Sequence, residues 1–401
     1  MIRHIKRCRL DKPERQFAAA AASHRRQLVL ALFLLWFSSI VPANAVDVER
    51  VVLIGFAAPL TSSRVLSAYG SAQMAVDEAN RRGIKIDGKK IVFKLLAQDD
   101  KGDPRTAALV AGYFIKSGVV GVVGHWNSGS SIATAQLYAK AGIPQLPPAT
   151  ISRKFTQQGA TTAFQVLGND DTGAAYLADF VLRSFPAARI AIIEDNTPFG
   201  KDFADRFTSV LKENGGNIVY HDAISKNTSD FNSPLLAVKK LKADVVFFGC
   251  IVLQSAELAK NMKRLNVKAR LISMGGTATE LFLKIAGDDV GDGVLSIEPG
   301  LPQEELPGWK TYHKNYFARN SEEITHFAPF AYDATNLLIY AIQKANSLDP
   351  KDITATLRNI RYSGLTGQIS FDDKGNLVNP SYTIYRLQNK MWVPADVFTK
   401  K

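Results

Sequence analysis

Residues 119–134, Val-Val-Gly-Val-Val-Gly-His-Trp-Asn-Ser-Gly-Ser-Ser-Ile-Ala-Thr, constrain the fold more than any other stretch. A short β-branched run stops at Gly124, a small polar loop follows, and an amphipathic helix is predicted from Ser131. The segment therefore reads strand, loop, helix. Backbone N–H groups at such a helix start have no acceptor within the helix, so with the serine hydroxyls they form an anion site suited to a carboxylate. An ordinary capped helix after a buried strand fits the same residues. Nucleotide binding does not, because the loop lacks both the G-x-x-x-x-G-K-[ST] lysine and the G-x-G-x-x-G spacing.

The same grammar repeats along the chain. Val51 to Ala57 reads as a strand, followed by Ala72, Ala75, Val76 and Ala79 at helical spacing up to Gly83. The strand Ile91 to Ala97, a helix from Arg105 to Lys116, the strand Val119 to Val123 and a helix from Ser131 to Ala141 continue it. A second series follows, with strands at 189–193, near Ile218, at 245–249 and at 270–274, and helices at 174–185, up to Leu211, at 235–241 and at 254–265. Strands alternating with helices imply parallel sheets covered on both faces, a doubly wound α/β architecture. After Gly293 the rhythm changes to helices near 309–318 and 331–345 and short strands at 367–371 and 382–387, which are expected to return to the first lobe.

The first 45 residues carry eight Lys and Arg ahead of an apolar run from Leu28 to Phe37, then Ala43-Asn44-Ala45. Ten apolar residues are too few for the ~20 that span a bilayer, so this reads as a secretory signal cleaved after Ala45. Cys8 lies among the basic residues and not after the apolar run, so it is not a lipoprotein cysteine. Without these residues the net charge falls from +12 to +6, as eight of 49 basic and two of 37 acidic groups leave. No dense basic tract with aromatics remains, so nucleic acid is not an expected partner. Cys250 alone survives and ends an apolar run, which makes it a buried small hydrophobe and leaves no disulfide. The remaining 356 residues exceed one core, so two domains are expected.

Catalytic motifs are lacking: there is no G-x-S-x-G, H-E-x-x-H or C-x-x-C, and the mature part has only His125, His221, His313 and His326. A secreted hydrolase pairing Ser128 with His125 is the alternative of another class. Asp99-Asp100-Lys101-Gly102-Asp103 and Asp372-Asp373-Lys374-Gly375-Asn376 lack calcium-loop spacing and read as turns. Open α/β sheets bind ligands beyond the carboxyl ends of their strands, which gathers 58–69, 125–130, 147–152 and 194–200 into one cleft between lobes. Tyr69, Trp126 and Phe199 are its expected apolar lining.

Five segments in order, 99–104, 123–131, 189–195, 199–200 and 371–377, resemble the periplasmic branched-chain (leucine/isoleucine/valine) amino acid-binding proteins of ABC importers. The resemblance covers essentially the whole mature chain. It implies a type I periplasmic-binding fold of two Rossmann-like lobes joined by three crossovers, near Asp170, Ser296 and Tyr385. The first lobe would comprise 46–169 and 297–384, the second 170–296 and 385–401. It further implies a monomeric, non-enzymatic periplasmic receptor that needs neither cofactor nor metal and passes its ligand to an inner-membrane permease. A sensor of the same fold, reporting amides or aliphatic or aromatic acids to a regulatory partner, is the nearest alternative.

Residue by residue, the resemblance gives Ser128, with Trp126 and Asn127 beside it, the ligand's α-carboxylate. The Ala149 to Ile151 backbone helps, Tyr69 covers the ligand and Phe327 joins the apolar wall. Three positions depart from the family pattern. Its hydroxyl residue is Ile151 here, with Thr150 one residue away; its tyrosine before glycine is Phe199; and its ammonium-binding glutamate falls at Gly275. A buried ammonium needs an acid, so Asp170 or Glu194 is expected to supply it, or else the ligand lacks an amine.

Overall fold

The computed structural model describes residues 49–287 and 290–399. The expected signal segment lies outside the described residues. Among these, no helix is long and apolar enough to cross a membrane.

The β-branched runs form two sheets. In the first, β1 (Arg50–Ala58) lies between β3 (Lys89–Asp99) and β4 (Val122–Gly124), parallel to both, while β2 (Lys85–Ile86) adds an antiparallel edge. Single parallel bridges from Val122 to Gln145 and from Gln145 to Ala163 continue it sideways. Helices Leu66–Arg81, Pro104–Lys116 and Ser128–Ala141 connect or follow these strands. The second sheet has the order β13-β12-β9-β8-β7-β5-β6. Its strands β5 (Arg189–Glu194), β6 (Asn217–Ala223), β7 (Val245–Gly249), β8 (Arg270–Met274) and β9 (Leu295–Pro299) run parallel. Every residue of β7 is buried, as expected of a central parallel strand covered on both faces.

The late strands depart from expectation in part. β12 (Ser381–Gln388) pairs antiparallel with β9, so it belongs to the second sheet instead of returning to the first lobe; β13 (Met391–Thr399) pairs with β12 in that same sheet, within the range expected for the second lobe. Ser296 and Tyr385, the expected exchange points, are paired with each other inside β9 and β12. β13 is an edge strand, the place where Pro394 costs no ladder bond, and the register shifts beside it at Ile384/Tyr385. The expected strand 367–371 is shorter, with β11 (Gly367–Ile369) forming a hairpin with β10 (Tyr362–Gly364).

Between β9 and β12 the chain packs on the first sheet. Helix Ala328–Ala345 lies along helix Leu66–Arg81, and the Tyr312 hydroxyl shares a 2.7 Å hydrogen bond with Ser71. At the crossing, the Tyr382 ring sits where a Cβ at Gly168 or Gly173 would have to go, and its hydroxyl donates to the Asn169 carbonyl. The largest apolar cluster runs from Phe56 and Phe93 in the first sheet through Leu177 to Phe203 and Phe247 at the second.

Two local differences bear on the site. The β4 ladder is confined to 122–124, although Val120 N–H still bonds the Leu53 carbonyl at 3.0 Å. The following helix begins at Ser128, three residues before the predicted start, because Asn127 is already in the extended conformation of an N-cap.

Candidate functional site

That early start places Ser128, Gly129 and Ser130 in the first turn, where N–H groups lack intrahelical acceptors. The Asn127 side chain does not cap the helix. Its Oδ1, the Ser128 Oγ and the Ser130 Oγ are all buried without a hydrogen-bond partner. Buried polar groups are ordinarily paired, so three orphans around one helix start point to something that completes them.

Asn127 and Ser128 border a cavity of about 460 Å³ between the carboxyl ends of the two sheets, and Ser130 lies in the same helix turn. The first-sheet side contributes Pro59, Arg64, Lys101, Trp126, Ser128 and Ala149; the second contributes Asp195, Phe199, Lys226, Ile251, Gln254 and Gly275. Phe327 completes the wall, its ring edge-on to Trp126 at 5.7 Å. Of the eleven residues singled out from sequence, Trp126, Asn127, Ser128, Ala149, Phe199, Gly275 and Phe327 border this cavity.

Tyr69, Thr150, Ile151 and Asp170 do not border it, and each has another occupation. The Tyr69 ring packs edge-on against Phe56 at 5.4 Å beside a separate hollow with Asn320. Thr150 shares a 2.8 Å hydroxyl–hydroxyl bond with Ser131 and receives Gln165 Nε2 at its carbonyl, so it does not replace the missing family hydroxyl. Ile151 is buried in the main core, and its carbonyl accepts from Asp170 N–H at 2.8 Å. Asp170 is buried at the crossing and accepts from Arg153 N–H at 3.1 Å. Burial pushes its carboxyl up to about 7; nearby Asp202 and Asp171 add to this, while Arg153 opposes it.

Glu194 is likewise withdrawn: it is the last residue of β5, and its carboxylate accepts the Asn196 N–H. Burial raises it, against that hydrogen bond. The acid at the cavity is its neighbour Asp195. Asp195 Oδ1 accepts from Thr197 N–H at 3.0 Å and from the Thr197 hydroxyl at 2.6 Å, while Cys250 Sγ lies 3.4 Å from Oδ2. Burial, and then the Asp195 charge, pushes the Cys250 thiol well up, so it is no nucleophile.

Gly275 sits where a side chain is barred. Its φ is +76°, and an added Cβ would lie 2.9 Å from the Cys250 carbonyl and 3.1 Å from the Phe199 ring. The two family departures at 199 and 275 are thus one packing arrangement. Glu298, wholly buried nearby, is spent on the same loop, accepting from Gly276 N–H at 2.9 Å, Ala278 N–H at 3.3 Å and Ser296 Oγ at 2.7 Å.

The Ser128–His125 pair is not assembled. His125 Nδ1 donates to Asp100 Oδ2 at 2.7 Å and Nε2 meets the Tyr138 hydroxyl at 3.0 Å, so neither nitrogen is left to take a proton from Ser128. Asp100 and Asp372 fold their own turns, accepting from Gly102 N–H and from Lys374 and Asn376 N–H.

Sequence reading included Arg64 and Asp195 in its cleft segments without singling them out, and missed Lys101, Lys226, Ile251 and Gln254. All but Gln254 lie in the segments that follow β1, β3, β5, β6 and β7, and Gln254 is in the first turn of the helix after β7. The strand-end rule, applied to every strand, would have found them. Arg64 stands out. It lies in the short turn Ser63–Val65, its Nε is buried without a partner, and burial lowers its guanidinium from the ordinary value.

A family model described as "Periplasmic binding protein" matches residues 51–391. The Leu/Ile/Val-binding protein BraC3 of Rhizobium johnstonii is 30% identical over 352 residues, 86% of this chain and 94% of that protein. Among solved structures, the branched-chain amino acid transporter substrate binding protein LivJ from Streptococcus pneumoniae, in complex with isoleucine, superposes with a TM-score of 0.77. It is 24% identical, and the match covers 88% of this chain and 100% of that one. An ABC-transporter solute binding protein from R. palustris in complex with 4-hydroxybenzoate superposes with a TM-score of 0.76 at 19% identity, over 88% and 97% of the two chains.

Proposed function

Because the chain belongs to the periplasmic binding protein family, we propose that it captures a small carboxylate between two lobes and presents it to the permease of an ABC importer. The observation that carries this reading is the helix start at Ser128, whose free N–H groups and unpartnered Ser128 hydroxyl border the cavity, with the unpartnered Ser130 hydroxyl in the same turn. A carboxylate supplies the acceptors those donors lack. The relatives support the class. One is named for leucine, isoleucine and valine, one neighbour holds isoleucine and another 4-hydroxybenzoate, and a carboxylate is the group these compounds share.

In this reading the first sheet, with the segment between β9 and β12, is one lobe and the second sheet is the other. Ligand binds the closed arrangement better and shifts the population toward it, which is the shape the permease reads. The protein works as a monomer, and residues 1–45 direct its export to the periplasm. Asp195 is the acid for any ligand ammonium. No bond is made or broken: Ser128 has no base beside it.

The test is calorimetric titration of residues 46–401 with leucine, isoleucine, valine, simple aliphatic acids and 4-hydroxybenzoate. Ser128→Ala is expected to weaken whichever binds by about 1–3 kcal/mol, the cost of one lost donor to a buried charge. Binding indifferent to Ser128→Ala would refute carboxylate capture at this helix.

A further inference from the structure

The charges around the cavity do not balance. Arg64, Lys101 and Lys226 border it against the single carboxylate of Asp195, which already accepts from Thr197 twice and from Cys250. The two lysines are exposed at the rim, where water screens them, and Lys226 also faces Asp103. Arg64 is different. No side chain among the described residues pairs with its guanidinium, and its Nε is shut off from solvent. Arg64 is half-buried as a whole, but a guanidinium whose Nε is buried without a partner is still costly, and arginine does not escape the cost by losing its proton. Arg64 follows β1, and Ser128 and Ser130 stand at the helix start after β4; Arg64 and Ser128 both border the cavity. The cavity thus has two sets of donors without acceptors, the helix start at Ser128 and the Arg64 guanidinium, with the rings of Trp126, Phe199 and Phe327 in the same wall.

We infer that the ligand is a small dicarboxylate: the helix start at Ser128 takes one carboxylate, the Arg64 guanidinium takes the second, and the aromatic wall packs against the carbon body between them. This rests on the carboxylate-capture reading and adds the second acidic group. An arginine fork suits it, since paired N–H donors match a carboxylate in geometry and charge.

The experiment is titration of the mature protein with matched pairs: glutarate against pentanoate, adipate against hexanoate, terephthalate against benzoate, and leucine as the zwitterion. At least one dicarboxylate is expected to bind about tenfold or more tightly than its monocarboxylate partner. Arg64→Gln is expected to weaken the dicarboxylate about tenfold more than its monocarboxylate partner and so abolish that preference, while Arg64→Lys retains part of it. If Arg64→Gln fails to fold, as judged by its thermal transition, Arg64→Lys and the matched pairs on the native chain decide alone.

Leucine or a monocarboxylate binding as tightly as any dicarboxylate, unaffected by Arg64→Gln, would overturn the inference and leave carboxylate capture standing if Ser128→Ala still weakens binding. A monocarboxylate weakened by Ser128→Ala, and by Arg64→Gln as much as its dicarboxylate partner is, would also overturn it, since one carboxylate would then bridge both groups. Binding that ignores Ser128→Ala, or no binding by any compound of the panel, counts against carboxylate capture and removes the inference with it.

Discussion

At the scale of single residues, the site turns on which side chains the backbone permits. Where the resemblance led one to expect an acid the chain has Gly275, and the geometry bars a side chain there: with φ at +76°, the Cys250 carbonyl close by and the Phe199 ring overhead, it has neither the conformation nor the room. Gly275→Glu is therefore expected to destabilise the fold by about 1–3 kcal/mol, and not to restore an ammonium site. Urea unfolding of the variant reads this, and an unchanged midpoint would show that the loop relaxes freely around a new side chain. Ser128 was legible in the sequence because serines after a β-branched run carry their own signal. Arg64 was not, since a lone arginine in Thr-Ser-Ser-Arg looks like any solvated turn residue until the fold brings it to the cavity. Asp195 was missed by one position: Glu194 ends the strand, and the next residue belongs to the loop that faces the cavity.

At the scale of elements, the long apolar runs appeared where their periodicity placed them, within a residue or two for Arg189–Glu194, Val245–Gly249 and Arg270–Met274. The helix at Ser128 began earlier than its pattern because Ser-Gly-Ser-Ser carries no apolar periodicity; only the N-cap geometry of Asn127 defines its start. β13 was overlooked because it is a half-exposed edge strand broken by Pro394, which resembles a loop in sequence. The helix Pro198–Glu213 links an element boundary to the site. Thr197 caps it, accepting from Gly200 N–H at 3.2 Å, and the same hydroxyl donates to Asp195. Thr197→Ala removes both bonds and is expected to cost about 1–2 kcal/mol in urea unfolding, with Thr197→Ser restoring most of it. Equal losses in the two variants would mean that the methyl group, and not the hydroxyl, matters.

At the scale of the whole molecule, two doubly wound sheets could be foreseen from alternating strands and helices, but the partners of the last strands could not. Periodicity shows that a residue faces a core without saying which core, and β12 joins the second sheet through pairing with β9, more than 80 residues earlier. The crossings concentrate buried acid. Asp202, on a helix of the second sheet's side, accepts from Ser152 and Lys154 of the first at 2.5 Å each, and Asp170 lies close by. Asp170 titrates at about 7 in the native state, against about 3.9 in an unfolded chain. Between these values the native state binds more protons, so stability falls as pH rises. The advantage of a neutral Asp170 is complete below about pH 4 and is lost through pH 7. Other buried acids contribute to the slope, but the difference between the native chain and Asp170→Asn isolates this one, because Asn keeps an acceptor for Arg153 N–H and cannot ionise. From pH 5 to pH 8 the native chain is expected to lose on the order of 2–4 kcal/mol relative to the variant, read as urea unfolding free energies at both pH values. Parallel pH profiles would show that Asp170 does not titrate in this range, and the carboxyl at the crossing would then be ionised at neutral pH, held by Arg153 against the cost of burial.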